Sequence, residues 1–371
     1  MFAESARGRN VALRWKRRKN ELIVPPEDRA IAKAVWRLAR RQDPRCTISE
    51  VCLAPILYYT DHHHFALPEG HRFPVAKYRL IRELLEPTCL FDLRPAPLAE
   101  PSQVVLAHDT GYVRQFVEGS LPREAMRRIG FPWSEGLVQR TLASVGATVA
   151  ASEQALATGF GGTLAGGTHH AFRGEGSGYC VFNDIAVAIE SLRKNGKASR
   201  FAVVDLDVHQ GDGTAQIFEN DPNVLTFSMH GGKNFPFRKQ RSNIDVELED
   251  GTGDGVYLDK LASALTSVRD FGPEFVFYQA GVDPLDSDSL GRLALSMEGL
   301  RERDRMVFEL VRQGGWPVAV TLGGGYSNPI IRTAEAHAQT FETAVAILNT
   351  APNQMPGSRD LTAKDLGGQK R

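Results

Sequence analysis

The chain is short of cysteine, of long apolar runs and of any charge excess, and each shortage excludes something. Its four cysteines, Cys46, Cys52, Cys89 and Cys180, form no Cys-x-x-Cys pair. A zinc ribbon and a thioredoxin-like redox motif are therefore absent, and a reducing, cytoplasmic setting is the expectation. No stretch approaches the roughly 18 consecutive apolar residues of a membrane helix, and the amino terminus lacks the apolar segment of a secretory signal. No membrane span is expected, while an Arg-rich start leaves organellar targeting open for a eukaryotic source. The 44 basic and 44 acidic side chains cancel. A dedicated nucleic-acid binder carries a basic domain or face, so no specific nucleic acid is expected as a partner. Internal repeats are missing too.

What is present has a clear organisation. Residues 1–50 open with the basic run "RGRNVALRWKRRKN" and read as a charged extension, disordered or solvated. Residues 349–371, rich in polar residues, Gly and Pro, read as a disordered tail. Between them, residues 51–348 read as one folded catalytic domain. The apolar runs "ISEVCLAPILYY", "SQVVLAH", "FAVVDLDVH", "NVLTFSMHG", "EFVFYQAGVD" and "PVAVTLGGGY" are continuous in polarity, as strands buried on both faces are. They alternate with helical patterns such as "VAKYRLIRELL", "ERDRMVFELVRQ" and "RTAEAHAQTFETAVAIL". The expected class is α/β, with a central, mostly parallel sheet, helices on both faces and the site at the carboxyl ends of the strands.

Acid at the end of an apolar run carries the chemistry. In "FAVVDLDVHQGDG" an acidic turn accounts for Asp212 and Gly213. Asp205 and Asp207 stand where the run should still be inside, and an unpaired buried carboxylate is costly. Residues two apart in an extended segment share a face, so Asp205, Asp207 and His209 form one row. Two carboxylates and an imidazole suit zinc or a similar divalent cation.

Other strand ends repeat the pattern. Polar residues follow the apolar runs at His169 and His170, at Ser228 and His230, at Asp283 and at Tyr326. One shared site explains them all. Adding Asp283 to Asp207 and His209 makes three ligands with a free position, the arrangement of a catalytic metal. The His169–His170 pair supplies an imidazole to take and return a proton.

The segments "GGTHHAFRGEGSGYCVFNDIAVA", "DLDVHQGDG", "SMHGGKNFPF", "QAGVDPLDSDSLGRLALS" and "LGGGY" resemble the zinc-dependent histone deacetylase family, of arginase-type fold, over roughly residues 55–348. "DLDVHQ", "LGRLALS" and "GHRFPVAKYRLI" are most similar to its bacterial and class IV branch. The resemblance implies one Zn²⁺ on Asp207, His209 and Asp283, with Asp205 paired to His169 and Asp212 to His170. Tyr326 matches the tyrosine that donates to the developing oxyanion. Asp205, Ser228 and the backbone around Met229 resemble an inner structural K⁺ site, and Phe218 begins the stretch similar to an outer one. Gly178, Tyr179 and Phe235 match the lining of a narrow tunnel for an acyl-lysine stem. Arg72 matches an arginine beside the product-release channel. Trp133 reads either as packing at a helix entry or as tunnel rim. The run "DHHH" at Asp61 to His64 reads as a loop near the tunnel mouth, and Cys180 as packing.

The implied activity is removal of an acyl group from an N-acyl amine, on an acyl-lysine protein or peptide or a small acylated amine such as an acetylpolyamine. Two rivals stay open: a two-metal ureohydrolase on the same fold, which needs bridging carboxylates, and a catalytically silent acyl-lysine reader.

Overall fold

The computed structural model describes residues 14–16, 21–23 and 54–348. Two units separate at residue 54. In the first, β1 (Arg14–Lys16) pairs with β2 (Glu21–Ile23) as an antiparallel hairpin. The expectations for the rest of the extension and for the tail lie outside the described residues.

The second unit is built on eight strands: β3 (Ile56–Tyr59), β4 (Asp92–Pro95), β5 (Phe160–Thr163), β6 (Phe201–Asp205), β7 (Val224–Gly231), β8 (Ile244–Leu248), β9 (Phe275–Gln279) and β10 (Val318–Thr321). Their order is β4-β3-β5-β10-β9-β6-β7-β8, and every pairing is parallel. The α/β fold with its central sheet is as expected, and wholly rather than mostly parallel.

Successive side chains of a strand point to opposite faces. Ala202, Val204, Val276 and Tyr278 accordingly enter one apolar core, with the helices Ala76–Leu85, Asp254–Phe271, Met297–Gly314 and Ile331–Leu348. Phe201, Val203, Phe275 and Phe277 enter the other, under the helices Glu135–Thr158 and Asp184–Lys194. Apolar contact on both faces is why β6 and β9 read as unbroken runs before their polar ends.

One apolar run was misread. "SQVVLAH" was expected as a strand, yet Pro101–Val104 is helical. The reason is its start: Glu100 and Gln103 form a reciprocal capping box, and Pro101 occupies the first turn, where its missing N–H costs nothing. The short strands β4 and β8 leave no continuous apolar run, since β4 is "DLRP" and β8 alternates polarity as "IDVEL".

Candidate metal centre and active site

Asp207 and His209 follow β6, and Asp283 follows β9; these two strands are neighbours in parallel register, so their carboxyl ends meet. One ligand atom from each of the three residues lies within 4.8 Å of the others. Backbone donors fix the carboxylates. The Val208 N–H donates to Asp283 Oδ1 at 2.8 Å, and the Gly324 N–H to Asp207 Oδ2 at 2.6 Å. A methyl group at Gly324 would run into Asp283, so the chain approaches this closely only without a side chain.

The electrostatics favour a cation. Asp283 is wholly buried, and burial followed by the charge of Asp207 pushes its pKa up to about 7. Burial opposes charge on His209 as well, but hydrogen bonds to Asp207 and Asp283, at 3.0 and 3.1 Å from Nδ1, outweigh it and raise its pKa to about 10. Two crowded, buried carboxylates facing one imidazole are a donor set that a divalent ion of the zinc type fits.

Beside this group His169 Nδ1 lies 2.7 Å from Asp205 Oδ2, and His170 Nδ1 lies 2.6 Å from Asp212 Oδ1. The two rings are 4.1 Å apart. Their environments drive them to opposite states. Burial works against charge on His169, but Asp205 and Asp207 overcome it and hold its pKa at about 9. Burial, reinforced by the charge of His169, brings His170 down to about 4. At neutral pH His170 is thus uncharged, donating Nδ1–H to Asp212 and keeping Nε2 as an acceptor.

A cavity of about 690 Å³ connects these groups, within the range of small-molecule sites. Tyr326 lines it, held by its backbone N–H, which donates to Asp288 Oδ2 at 2.6 Å. Gly178, Tyr179 and Phe235 line it too, and Phe235 meets the His170 ring edge-on at 4.9 Å. Tyr179 has φ +66°, an unusual value for a side-chain-bearing residue. Its ring packs 5.3 Å from both Phe73 and Phe131.

Trp133 is exposed and lies outside the cavity wall. Its indole N–H donates to the Phe116 carbonyl at 2.7 Å, and its ring lies against Gly119. Arg72 lines the cavity from an exposed position, and the buried cations of that wall are Lys77 and Arg140. Ser228 is buried, the register partner of Asp205 across β6 and β7, with Oγ 3.0 Å from His230 Nδ1. Phe218 is buried at the end of the helix Asp212–Ile217. Cys180 is buried and lines the cavity, and burial pushes its thiol pKa up, which keeps it protonated. In the loop after β3, Asp61 takes a two-pronged hydrogen bond from Arg82.

Several contributors went unnoticed in the sequence. Asp184 accepts from the backbone N–H groups of Gly167 and Thr168 at 3.0 and 2.7 Å, fixing the chain just before His169. Asp288 does the same for Tyr326. Lys77 left a readable trace: Lys77, Ile81 and Leu85 recur every four residues, so a lysine stands on a core face.

Comparison with known proteins agrees with this geometry. The histone deacetylase domain family matches residues 71–342. The chain is 45% identical over 282 residues to an uncharacterized protein of Picosynechococcus sp., covering 74% of this chain and 93% of that protein. It is 30% identical over 301 residues to the acetoin utilization protein AcuC of Bacillus subtilis, covering 73% and 76% respectively. Against histone deacetylase 2 of Arabidopsis thaliana it is 38% identical over 186 residues, 49% of this chain and 48% of that protein.

Proposed function

The chain belongs to the histone deacetylase family, and from that premise we propose that it is a zinc-dependent amidohydrolase removing an acyl group from an N-acyl amine, with acyl-lysine as the first substrate class. The observation that carries the reading is convergence: the Asp207, His209 and Asp283 group, two Asp-supported histidines and Tyr326 meet around one cavity. Asp207, His209 and Asp283 would hold the zinc, which when bound supplies Lewis acidity toward the amide carbonyl and a more acidic water.

The remaining roles belong to side chains. Neutral His170 takes a proton through Nε2 while Asp212 holds its tautomer, and the proton later goes to the leaving amine. His169, held through Nδ1 by Asp205, packs beside the His170 ring. The Tyr326 hydroxyl donates to the carbonyl oxygen as negative charge gathers there. Gly178, Tyr179 and Phe235 sheath the apolar stem of the substrate. Asp205 and Ser228, with neighbouring carbonyls, and the stretch from Phe218 are assigned to structural K⁺ ions that take no part in a step.

Among the described residues one group of three ligands comes together, which favours this reading over a two-metal ureohydrolase. The retained tyrosine and histidines favour it over a silent reader. The test is turnover of acetyl-lysine peptides and acetylated polyamines by zinc-loaded protein. Activity removed by a chelator and restored by about one equivalent of zinc is expected. Binding of acyl-lysine without release of product would overturn the assignment.

A further inference from the structure

Two buried cations in the cavity wall form no close ion pair among the described residues. Arg140 is only 8% exposed and Lys77 only 1%, both line the cavity, and among the described residues neither has a carboxylate within 4.0 Å. They flank one ring: the Arg140 guanidinium carbon lies 4.4 Å from the centroid of Tyr78, and Lys77 Nζ 5.3 Å from it. Lys77 Nζ also donates to the Gly323 carbonyl at 3.0 Å and sits 5.4 Å from the Tyr326 ring. The cationic wall therefore begins directly behind the turn that carries Tyr326.

Elsewhere this fold neutralises a buried arginine. Arg303, wholly buried, meets Asp304 at 2.8 Å. Around Arg140 the nearby acids are already engaged: Asp184 accepts from Thr148, Gly167 and Thr168, and Asp61 from Arg82. Burial pulls the guanidinium pKa down, outweighing the opposing influence of Tyr78 and of the more distant Asp61 and Asp184 charges. A buried charge without a close ion pair is costly, and contact with Tyr78 and the more distant acids offset only part of that cost. Among the described residues the sole carboxylate in the cavity wall is Asp207, assigned to the metal.

We propose that Arg140 and Lys77 form a carboxylate subsite, so that the enzyme accepts short dicarboxylic acyl groups of the succinyl and glutaryl class on its amine substrate. This rests on the deacylase reading above. The distal carboxylate meets the guanidinium fork and the ammonium, each of which has N–H donors to spare. The reaction is the same hydrolysis: the amide C–N bond breaks, a C–O bond to water oxygen forms, and the products are a dicarboxylate and the free amine.

The test compares one peptide sequence carrying acetyl-, butyryl-, succinyl- or glutaryl-lysine, with the zinc-loaded full chain. Succinyl or glutaryl substrate is expected to match or exceed the neutral butyryl substrate in kcat/KM. Arg140→Met should lower the succinyl-to-butyryl ratio about tenfold or more, as loss of a charge-assisted bond does. Cleavage of acetyl and butyryl but neither dicarboxylic substrate overturns the subsite and leaves the deacylase reading standing. So does an unchanged ratio in both Arg140→Met and Lys77→Met. Failure to cleave any of the four overturns both. The comparison on the parent protein decides even if the variants do not fold.

Discussion

At the scale of the residue, Tyr326 separates catalysis from packing. Among the described residues no hydrogen bond engages its hydroxyl, while its backbone N–H is anchored to Asp288. Tyr326→Phe keeps the ring and removes only the donor. A fall in kcat of roughly 10²- to 10³-fold is expected, with KM and bound zinc little changed, because the bond strengthens where negative charge develops. A kcat within about threefold of the parent, with chemistry limiting the rate, would remove the role. Asp283 has two tasks. Asp283→Ala should lose zinc by metal analysis and also lower stability by about 1–3 kcal/mol, since the Val208 N–H is left buried without its acceptor. Asp283→Asn keeps that acceptor. It should weaken zinc while recovering most of the stability.

At the scale of the element, the loop between His170 and the helix Asp184–Lys194 is pinned by a residue outside the site. His108, buried after the short helix Pro101–Val104, accepts the Asn183 N–H at Nε2 at 2.8 Å, and its Nδ1 lies 3.2 Å from the Arg173 carbonyl. Burial lowers its pKa to about 4 from the ordinary 6.5. A depressed histidine pKa gives stability that is fully present above 6.5 and is lost as pH falls toward 4, because the unfolded chain takes up the proton first. Denaturant unfolding between pH 7 and 4.5 should therefore weaken more steeply in the parent than in His108→Gln. The difference in slope is at most about 1.4 kcal/mol per pH unit. Equal slopes would count against a neutral, load-sharing His108. The segment that carries His108 also shows a limit of pattern reading: "SQVVLAH" has the apolar density of a strand, and a capping box decides otherwise.

At the scale of the molecule, every strand of the large sheet and every residue assigned to the site lies between 56 and 348. The compact unit that contains them begins at Pro55. Removing residues 1–45 should leave the melting temperature within a few degrees and kcat/KM within about twofold. A soluble, folded truncation without activity would show that the extension completes the site. The family match from residue 71 onward points the same way.

The sequence by itself determined the layer plan and singled out the residues that gather around the cavity. Charged residues at the ends of doubly apolar runs have few physical explanations, and Asp207, His209, Asp283, the paired histidines and Tyr326 stood out for that reason. Alternating runs and amphipathic helices likewise implied a buried parallel sheet, since neither element can leave its apolar face in water. Tertiary structure alone decided what depends on distant segments meeting. Trp133 packs on Gly119 because two helix ends converge there, and Arg72 is exposed while Lys77 of the same segment points inward. Arg140, on a helix remote in sequence from Asp207, His209 and Asp283, reaches the same wall only once the sheet brings β5 and β10 together beneath it. Periodicity records which face of an element is buried; which cavity that face then lines is set by the packing of the whole.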